Sequence, residues 1–161
     1  MSNEIRNLTT GSVKEGDELP SLAYDVSTTT VVLGAMASRD WRPMHHDKDF
    51  AIHRNGTKDI FMNTPNQAAW FERYLSDWTG PTGRLGRIKF RMKASVFPGD
   101  TMVFHGRVDE VETDEVGCSW AELTLRLSVG EKTVTECNAR VAIPSTEGDN
   151  PWKRKGDRWK P

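Results

Sequence analysis

The amino-acid sequence predicts an α+β domain in which an antiparallel sheet wraps around one long, buried helix. Three observations carry that expectation. One helix near the middle of the chain has both ends marked by residue type, four strands of alternating polarity follow it, and no internal repeat or second domain interrupts them. A helix apolar over a broad arc and a sheet with one apolar face each need a partner layer, and stacking one on the other buries both.

The elements follow in chain order. With 161 residues the chain has the size of one domain. Met1–Pro20 is polar, punctuated by Gly11, Gly16 and Pro20, and reads as a flexible lead-in. Ser21–Val26 is expected as a strand. Thr28–Ser38 reads as a short helix around the apolar stretch Val31–Met36, although its threonines and valines also suit a strand. In the marked helix, Thr64 is placed to cap, Pro65 suits the first position and Gly80 the stop. Ala68, Phe71, Tyr74, Leu75 and Trp78 recur along it at helical spacing, and Ala69 and Trp70 widen the apolar arc.

The rest is β-patterned. Ile88, Phe90, Met92, Ala94 and Val96 alternate with Lys89, Arg91, Lys93 and Ser95, as in a strand with one wet face. Pro98-Gly99-Asp100 turns the chain into a second strand through Met102, Phe104, Gly106 and Val108, and the acidic run Asp109–Glu115 is expected as the next connection. Ala121, Leu123, Leu125, Leu127 and Val129 form the third apolar row. A Gly130-Glu131-Lys132 hairpin leads to the fourth, through Cys137, Ala139, Val141 and Ile143. Short connections predict antiparallel strands. Ser145–Pro161 reads as a polar, basic tail, which leaves 21–144 as the single domain. Helix and sheet together make the hotdog architecture.

Composition narrows the function classes. A formal net charge of −1, with Lys and Arg spread along the chain, gives no footprint for nucleic acid. The N-terminal residues lack the apolar core of a signal peptide, and no run is long enough to cross a bilayer. Cys118 and Cys137 are expected as reduced thiols of a cytoplasmic protein.

The segment Arg39–Ala51 carries the chemistry. It sets Asp40 and His45 five residues apart with Pro43 between them to fix the turn, and Phe50-Ala51 follows to anchor the loop in the core. An acid and an imidazole meeting over one water molecule can take a proton from it and deliver one elsewhere. A lone histidine more often caps a turn or bonds a backbone carbonyl, and Asp40 has Arg39 and Arg42 within reach as salt-bridge partners. Metal binding by His45, His46 and Asp47 is disfavoured, because adjacent histidines in an extended segment point to opposite sides. His53 and His105 stand outside any constellation.

This segment resembles the signature of the MaoC-like (R)-specific enoyl-CoA hydratases, which runs Gly-Asp-x-Asn-Pro-aliphatic-His-x-Asp/Ser-x-x-Ala/Phe-Ala. Asp40, Pro43, Met44, His45, Asp47, Phe50 and Ala51 fall on its positions without a gap, while Arg39 replaces the Gly and Arg42 the Asn. A further pattern is similar to the small subunits of heteromeric hydratases of bacterial steroid side-chain degradation. It comprises Ala37-x-Arg39-Asp40, His45-His46-Asp47, Asp59-Ile60-Phe61-x-Asn63, Arg73-Tyr74, Asp77-Trp78 and Gly80-Pro81. The resemblance implies Asp40 and His45 as the catalytic pair, with Arg42, Pro43 and Asp47 shaping the loop. It implies an enoyl-CoA thioester as substrate, with no metal or other cofactor, and a homodimer or a heteromer with another hotdog subunit. Asn63 occupies the place of a family Gly whose main-chain N–H binds the thioester oxygen, and its own N–H is assigned that role; the start of a helix favours developing negative charge. Which of Asp40 and His45 is the base toward water stays open at this level.

Two competing readings share the fold. A hotdog thioesterase would place a carboxylate on the central helix, where Glu72 and Asp77 are the acids available. A non-catalytic subunit would only shape the pocket of a larger assembly. Trp70, Phe71 and Trp78 read as core that also borders an acyl pocket. The basic segment Trp152–Lys160 reads as a solvated tail, with coenzyme A phosphates or a partner's acidic face as its alternative contacts.

Overall fold

Alternating polarity and capped helices resolve into β1 (Glu18–Asp25), α1 (Thr28–Ala37), α2 (Lys48–His53), α3 (Thr64–Thr79), β2 (Arg84–Met92), β3 (Thr101–Thr113), β4 (Ser119–Val129) and β5 (Lys132–Ile143). The structure, a computed structural model, describes residues 8–161. The strands form one antiparallel sheet in the order β1-β3-β4-β5-β2. Its concave rows, Met102, Phe104 and Val108, then Leu123, Leu125 and Leu127, then Cys137, Ala139 and Val141, are buried. Against them α3 turns Phe71, Tyr74, Leu75 and Trp78. The Phe71 and Tyr74 rings lie 5.1 and 5.7 Å from that of Phe104, and each large apolar side chain so buried contributes about 1.5–3 kcal/mol. Gly106 allows the approach, since a Cβ there would meet Leu125 at 2.6 Å and the Tyr74 ring at 3.4 Å.

The sheet is a meander only through β3, β4 and β5. β2 crosses to the far edge and pairs with β5. The strand expected through Val96 stops at Met92, because the Lys93 and Ala94 N–H groups both donate to the one Val134 carbonyl of β5, at 2.8 and 3.2 Å, which breaks the ladder, and the Val96 carbonyl then accepts from the Met62 N–H at 2.9 Å. The acidic run expected as a loop belongs largely to β3, which continues to Thr113. Glu112 there pairs with Arg140, which also binds Glu122, so the carboxylates are neutralised across neighbouring strands. The cap of α3 is Asn63, whose side chain accepts from the Asn66 N–H at 3.2 Å, rather than Thr64.

Neither stretch read as an unattached end is free of the domain. Met1–Asn7 lies outside the described residues, but Leu8 and Val13 are buried and β1 begins at Glu18. Leu8 N–H donates to the Thr79 carbonyl at 3.1 Å, and Thr10 N–H to that of Pro144 at 3.0 Å. At the other end the Arg84 guanidinium sits 3.6 Å from the Trp159 ring centre and 5.4 Å from that of Trp152. Trp159 in turn lies 5.0 Å from buried Trp120. A polar composition concealed two tryptophans spaced to flank one cation.

Cys118 and Cys137 are free and buried. Burial pushes the Cys137 thiol up to about 12, which keeps it protonated and unreactive. No helix among the described residues is long and apolar enough to cross a membrane.

Candidate active site

The position of Asp40 is set by the way α1 ends. After the Ser38 cap, Arg39 adopts a left-handed φ of 55°. The Arg39 N–H then donates to the Met36 carbonyl at 3.0 Å and the Asp40 N–H to that of Ala35 at 2.9 Å. This is the Schellman pairing, which asks for a residue tolerant of positive φ at the position of Arg39 and fixes the backbone of the next one. The glycine of the family signature meets that demand without strain, and Arg39 meets it at a cost. α1 is itself clamped onto α3. A Cβ at Gly34 would lie 1.9 Å from Nδ2 of Asn66, which donates to the Thr30 carbonyl at 3.1 Å.

His45 ends a short 3-10 turn, Pro43–His45, in which proline supplies the first position. The Asp47 N–H closes the turn on the Pro43 carbonyl at 2.7 Å, and the Asp47 carboxylate caps α2 through the Phe50 N–H at 2.9 Å. Ala51 is fully buried beneath it. The His45 ring is buried, its Nδ1 2.8 Å from the Phe61 carbonyl and its Nε2 3.5 Å from Oδ2 of Asp40. A carbonyl only accepts, so Nδ1 carries the hydrogen and the lone pair of the neutral ring lies on Nε2, toward Asp40. The carbonyl bond expected of a merely structural histidine is present, and it also orients the other nitrogen into the site.

Asp40 is held from two sides. Arg42 donates through Nε to Oδ1 at 2.8 Å and through Nη2 to Oδ2 at 2.7 Å. Asn63 donates through Nδ2 to Oδ2 at 3.0 Å and to Ser38 Oγ at 2.8 Å. The Arg42 guanidinium, helped by Asn63, holds the Asp40 carboxyl well below the usual carboxylate range against the opposing effect of burial. Arg42 thus forms the salt bridge that sequence alone offered as the bland alternative, from the position the family gives to Asn. Asn63 does more than its sequence assignment, since one side chain caps α3 and ties the helix start to Asp40. Its main-chain N–H makes no hydrogen bond among the described residues.

Arg42, Met44, His45, Phe61, Met62, Asn63, Thr64 and Met92 line a pocket of about 190 Å³. Phe61 belongs to the Asp59-Ile60-Phe61-x-Asn63 pattern and Met92 to an alternating strand, but neither reading places them at the site, where they arrive from separate segments. Trp70, Phe71 and Trp78 do not line this pocket. On the outer side of α3, Glu72 is exposed and Asp77 pairs with Arg73 at 3.3 Å, so neither acid reaches it. His46 faces the Trp41 carbonyl at 3.3 Å, and no group of three metal-ligating side chains occurs among the described residues.

No protein-family model matches the chain. Its fold superposes on the R-hydratase PhaJ1 from Pseudomonas aeruginosa with a TM-score of 0.77 at 18% identity, over 87% of this chain and 88% of that one. In sequence it is 36% identical over 96 residues to the 3-oxo-4,17-pregnadiene-20-carboxyl-CoA hydratase beta subunit of Mycobacterium tuberculosis, a span of 60% of this chain and 74% of the relative. The chain belongs to the MaoC-like (R)-hydratase family of hotdog enoyl-CoA hydratases. It also resembles the ChsH1–ChsH2 complex from the same organism, with a TM-score of 0.74 and 28% identity over 81% of this chain and 98% of that one.

Proposed function

We propose that the chain adds water reversibly to a trans-2-enoyl-CoA whose acyl group is bulky and steroid-like, using Asp40 and His45 to hold the water. The observation that carries this reading is the pair of facing acceptors, Asp40 Oδ2 and His45 Nε2, 3.5 Å apart beside the α3 N-terminus. With Nε2 unprotonated, neither can donate to the other, and a water molecule donating one hydrogen to each satisfies both. The bulky substrate rests on the 36% identical relative, a hydratase subunit for a pregnadiene carboxyl-CoA.

The oxygens of Asp40 already accept from Arg42 and Asn63. Nε2 of His45 therefore takes the proton as the water oxygen bonds to C3, and the carboxylate stabilises the imidazolium that forms. The thioester oxygen gains charge in the same step and is met by the Asn63 N–H at the positive end of α3. Return of the proton from Nε2 to C2 leaves hydrogen on C2, hydroxyl on C3 and a neutral imidazole.

The relatives include a beta subunit and a two-protein complex, which supports pairing with another hotdog subunit. The test follows the enoyl-thioester absorbance with crotonyl-CoA and with a steroid-like enoyl-CoA, both alone and beside the His45→Ala variant. His45→Ala is expected to lose about 10²–10⁴-fold in kcat, the usual contribution of one proton-transferring group. A variant that retains most of the wild-type rate, with an unchanged circular dichroism spectrum, would remove His45 from the mechanism.

A further inference from the structure

Polar groups taken into a protein core are nearly always paired, so each exception asks what completes it. Among the described residues, Gln67 Nε2, Tyr74 Oη, Arg140 Nε and Arg154 Nε are buried without a hydrogen-bond partner. The two arginines use their other nitrogens in ion pairs with Glu112, Glu122 and Asp149. Tyr74 lies about three turns beyond Asn63 on α3, roughly 16 Å along the helix axis. Gln67 stands a single turn from the candidate site.

The Gln67 side chain is fully buried between α3 and the sheet. Its main-chain N–H donates to the Asn63 carbonyl at 3.2 Å, which sets the two residues on one face of the helix. Helical side chains lean back over the preceding turn, so the Gln67 amide is carried toward the start of α3. There the buried Thr135 hydroxyl donates to its Oε1 at 2.8 Å. With the oxygen anchored, both hydrogens of Nε2 are left to point elsewhere, and no acceptor meets them among the described residues.

The anchor also locates the amide. Thr135 is the register partner of Met92, and residues directly opposite in an antiparallel pair share one face of the sheet. Met92 and Asn63 both line the pocket with His45. The Gln67 amide therefore lies behind the wall that these two residues form. In the same wall the Asn63 main-chain N–H makes no hydrogen bond among the described residues. Two neutral donors one helical turn apart, each lacking an acceptor, suit one incoming oxygen with two lone pairs.

We infer that Gln67 is a second donor to the thioester oxygen, its Nε2 joining the Asn63 N–H in a two-donor oxyanion site, with Thr135 as its positioning residue. This assignment rests on the hydratase reading above. Met92, a flexible thioether tethered through Sδ to the Thr64 hydroxyl at 3.4 Å, changes rotamer to admit the oxygen. As the water oxygen bonds to C3, charge moves onto the thioester oxygen and both hydrogen bonds strengthen, so the effect falls mainly on kcat.

The test uses the full chain and two unreactive probes that differ in one oxygen, butyryl-CoA and its thioether S-butyl-CoA. By calorimetry wild type is expected to bind the thioester more tightly. Gln67→Met, similar in length but without the donor, should lose about two- to tenfold of that affinity, the usual worth of one hydrogen bond, and none for the thioether. Its kcat with crotonyl-CoA should fall about 10²–10³-fold, the effect of removing one oxyanion donor, with a smaller change in KM. Circular dichroism checks that the variant folds. Thr135→Val provides a second variant, expected to show the same selective loss to a smaller extent, while Thr135→Ser keeps the wild-type pattern. Equal losses for both probes, as a merely structural glutamine would give, or a wild type that does not distinguish them, would overturn the inference. Hydration of crotonyl-CoA by folded Gln67→Met at the wild-type rate removes Gln67 and keeps the hydratase. Selective loss of thioester affinity in a chain that hydrates no enoyl-CoA keeps the Gln67 contact and removes the hydratase reading.

Discussion

Arg42 occupies the donor-facing side of Asp40 so fully that the carboxylate and the imidazole beside it have unequal freedom to accept a proton. Replacing Arg42 by Ala should raise the Asp40 pKa toward about 3.9, the ordinary value for an aspartate. The sign for stability follows from the direction of the shift. A carboxyl depressed in the folded state contributes stability that is complete above the unfolded pKa and is lost as pH falls through the folded one. Wild type should therefore lose this contribution progressively as pH falls below about 4, whereas Arg42→Ala has little to lose, and thermal melts between about pH 2 and 5 will read the difference in slope. Arg39 offers a second measurement at this scale. Its left-handed φ of 55° is a conformation that costs a side-chain-bearing residue about 1–2 kcal/mol, so Arg39→Gly is expected to stabilise by up to about 1 kcal/mol in urea denaturation after the added chain entropy of glycine is subtracted. An unchanged or lowered midpoint would mean that the Arg39 side chain has compensating contacts.

Among the elements, the contact of α1 with α3 governs the site most directly, because α1 delivers Asp40 and α3 delivers Asn63. Gly34→Ala would set its methyl group 1.9 Å from the buried Asn66 amide, so the Asn66 side chain must give up its place or the helices must separate. Overpacking of this kind costs about 1–3 kcal/mol, measurable as a lowered urea midpoint, and activity should fall with it as Asp40 moves off Asn63. Much at this scale could be read from residue types. Gly80 stops α3 where expected, and Leu123, Leu125 and Leu127 point inward as their alternation requires. Asn63 was harder to read as a cap because Thr64 and Asn63 are both good capping residues, and only the bond to Asn66 decides between them. β3 was cut short at Asp109 because a run of acids looks like a loop until the cation that neutralises it, Arg140, is brought alongside from β5. The place of Asp40 and His45 within one signature was legible because both lie in a single short segment. Their bonds to Asn63 and Phe61 depend on a later segment folding back, which local pattern does not encode.

For the whole molecule, the strand order was the least legible feature, since β2 and β3 are neighbours in sequence and lie on opposite sides of the β4–β5 pair. The C-terminal strap belongs to the same scale. Trp159 covers Trp120 and stacks on Arg84, joining the end of the chain to β4 and β2. Trp159→Ala removes one aromatic pair and one cation–π contact, together about 1–2 kcal/mol, and should lower the melting temperature by about 4 °C. A melting temperature that does not move would mean that the strap adds no stability.

The separation of β2 from β3 also sets a timetable. The β3–β4 and β4–β5 pairs join neighbours along the chain, the latter across only Gly130 and Glu131, whereas β2 reaches β5 and β1 reaches β3 by closing long loops. Loop closure is slower and entropically dearer than hairpin formation, so the meander provides the template and the two outer strands arrive afterwards. The segments that bring Asp40, His45 and Asn63 together lie between those late arrivals. The geometry of the candidate site is thus among the last features to form, and during folding the chain displays a completed apolar sheet before Asp40, His45 and Asn63 are brought together.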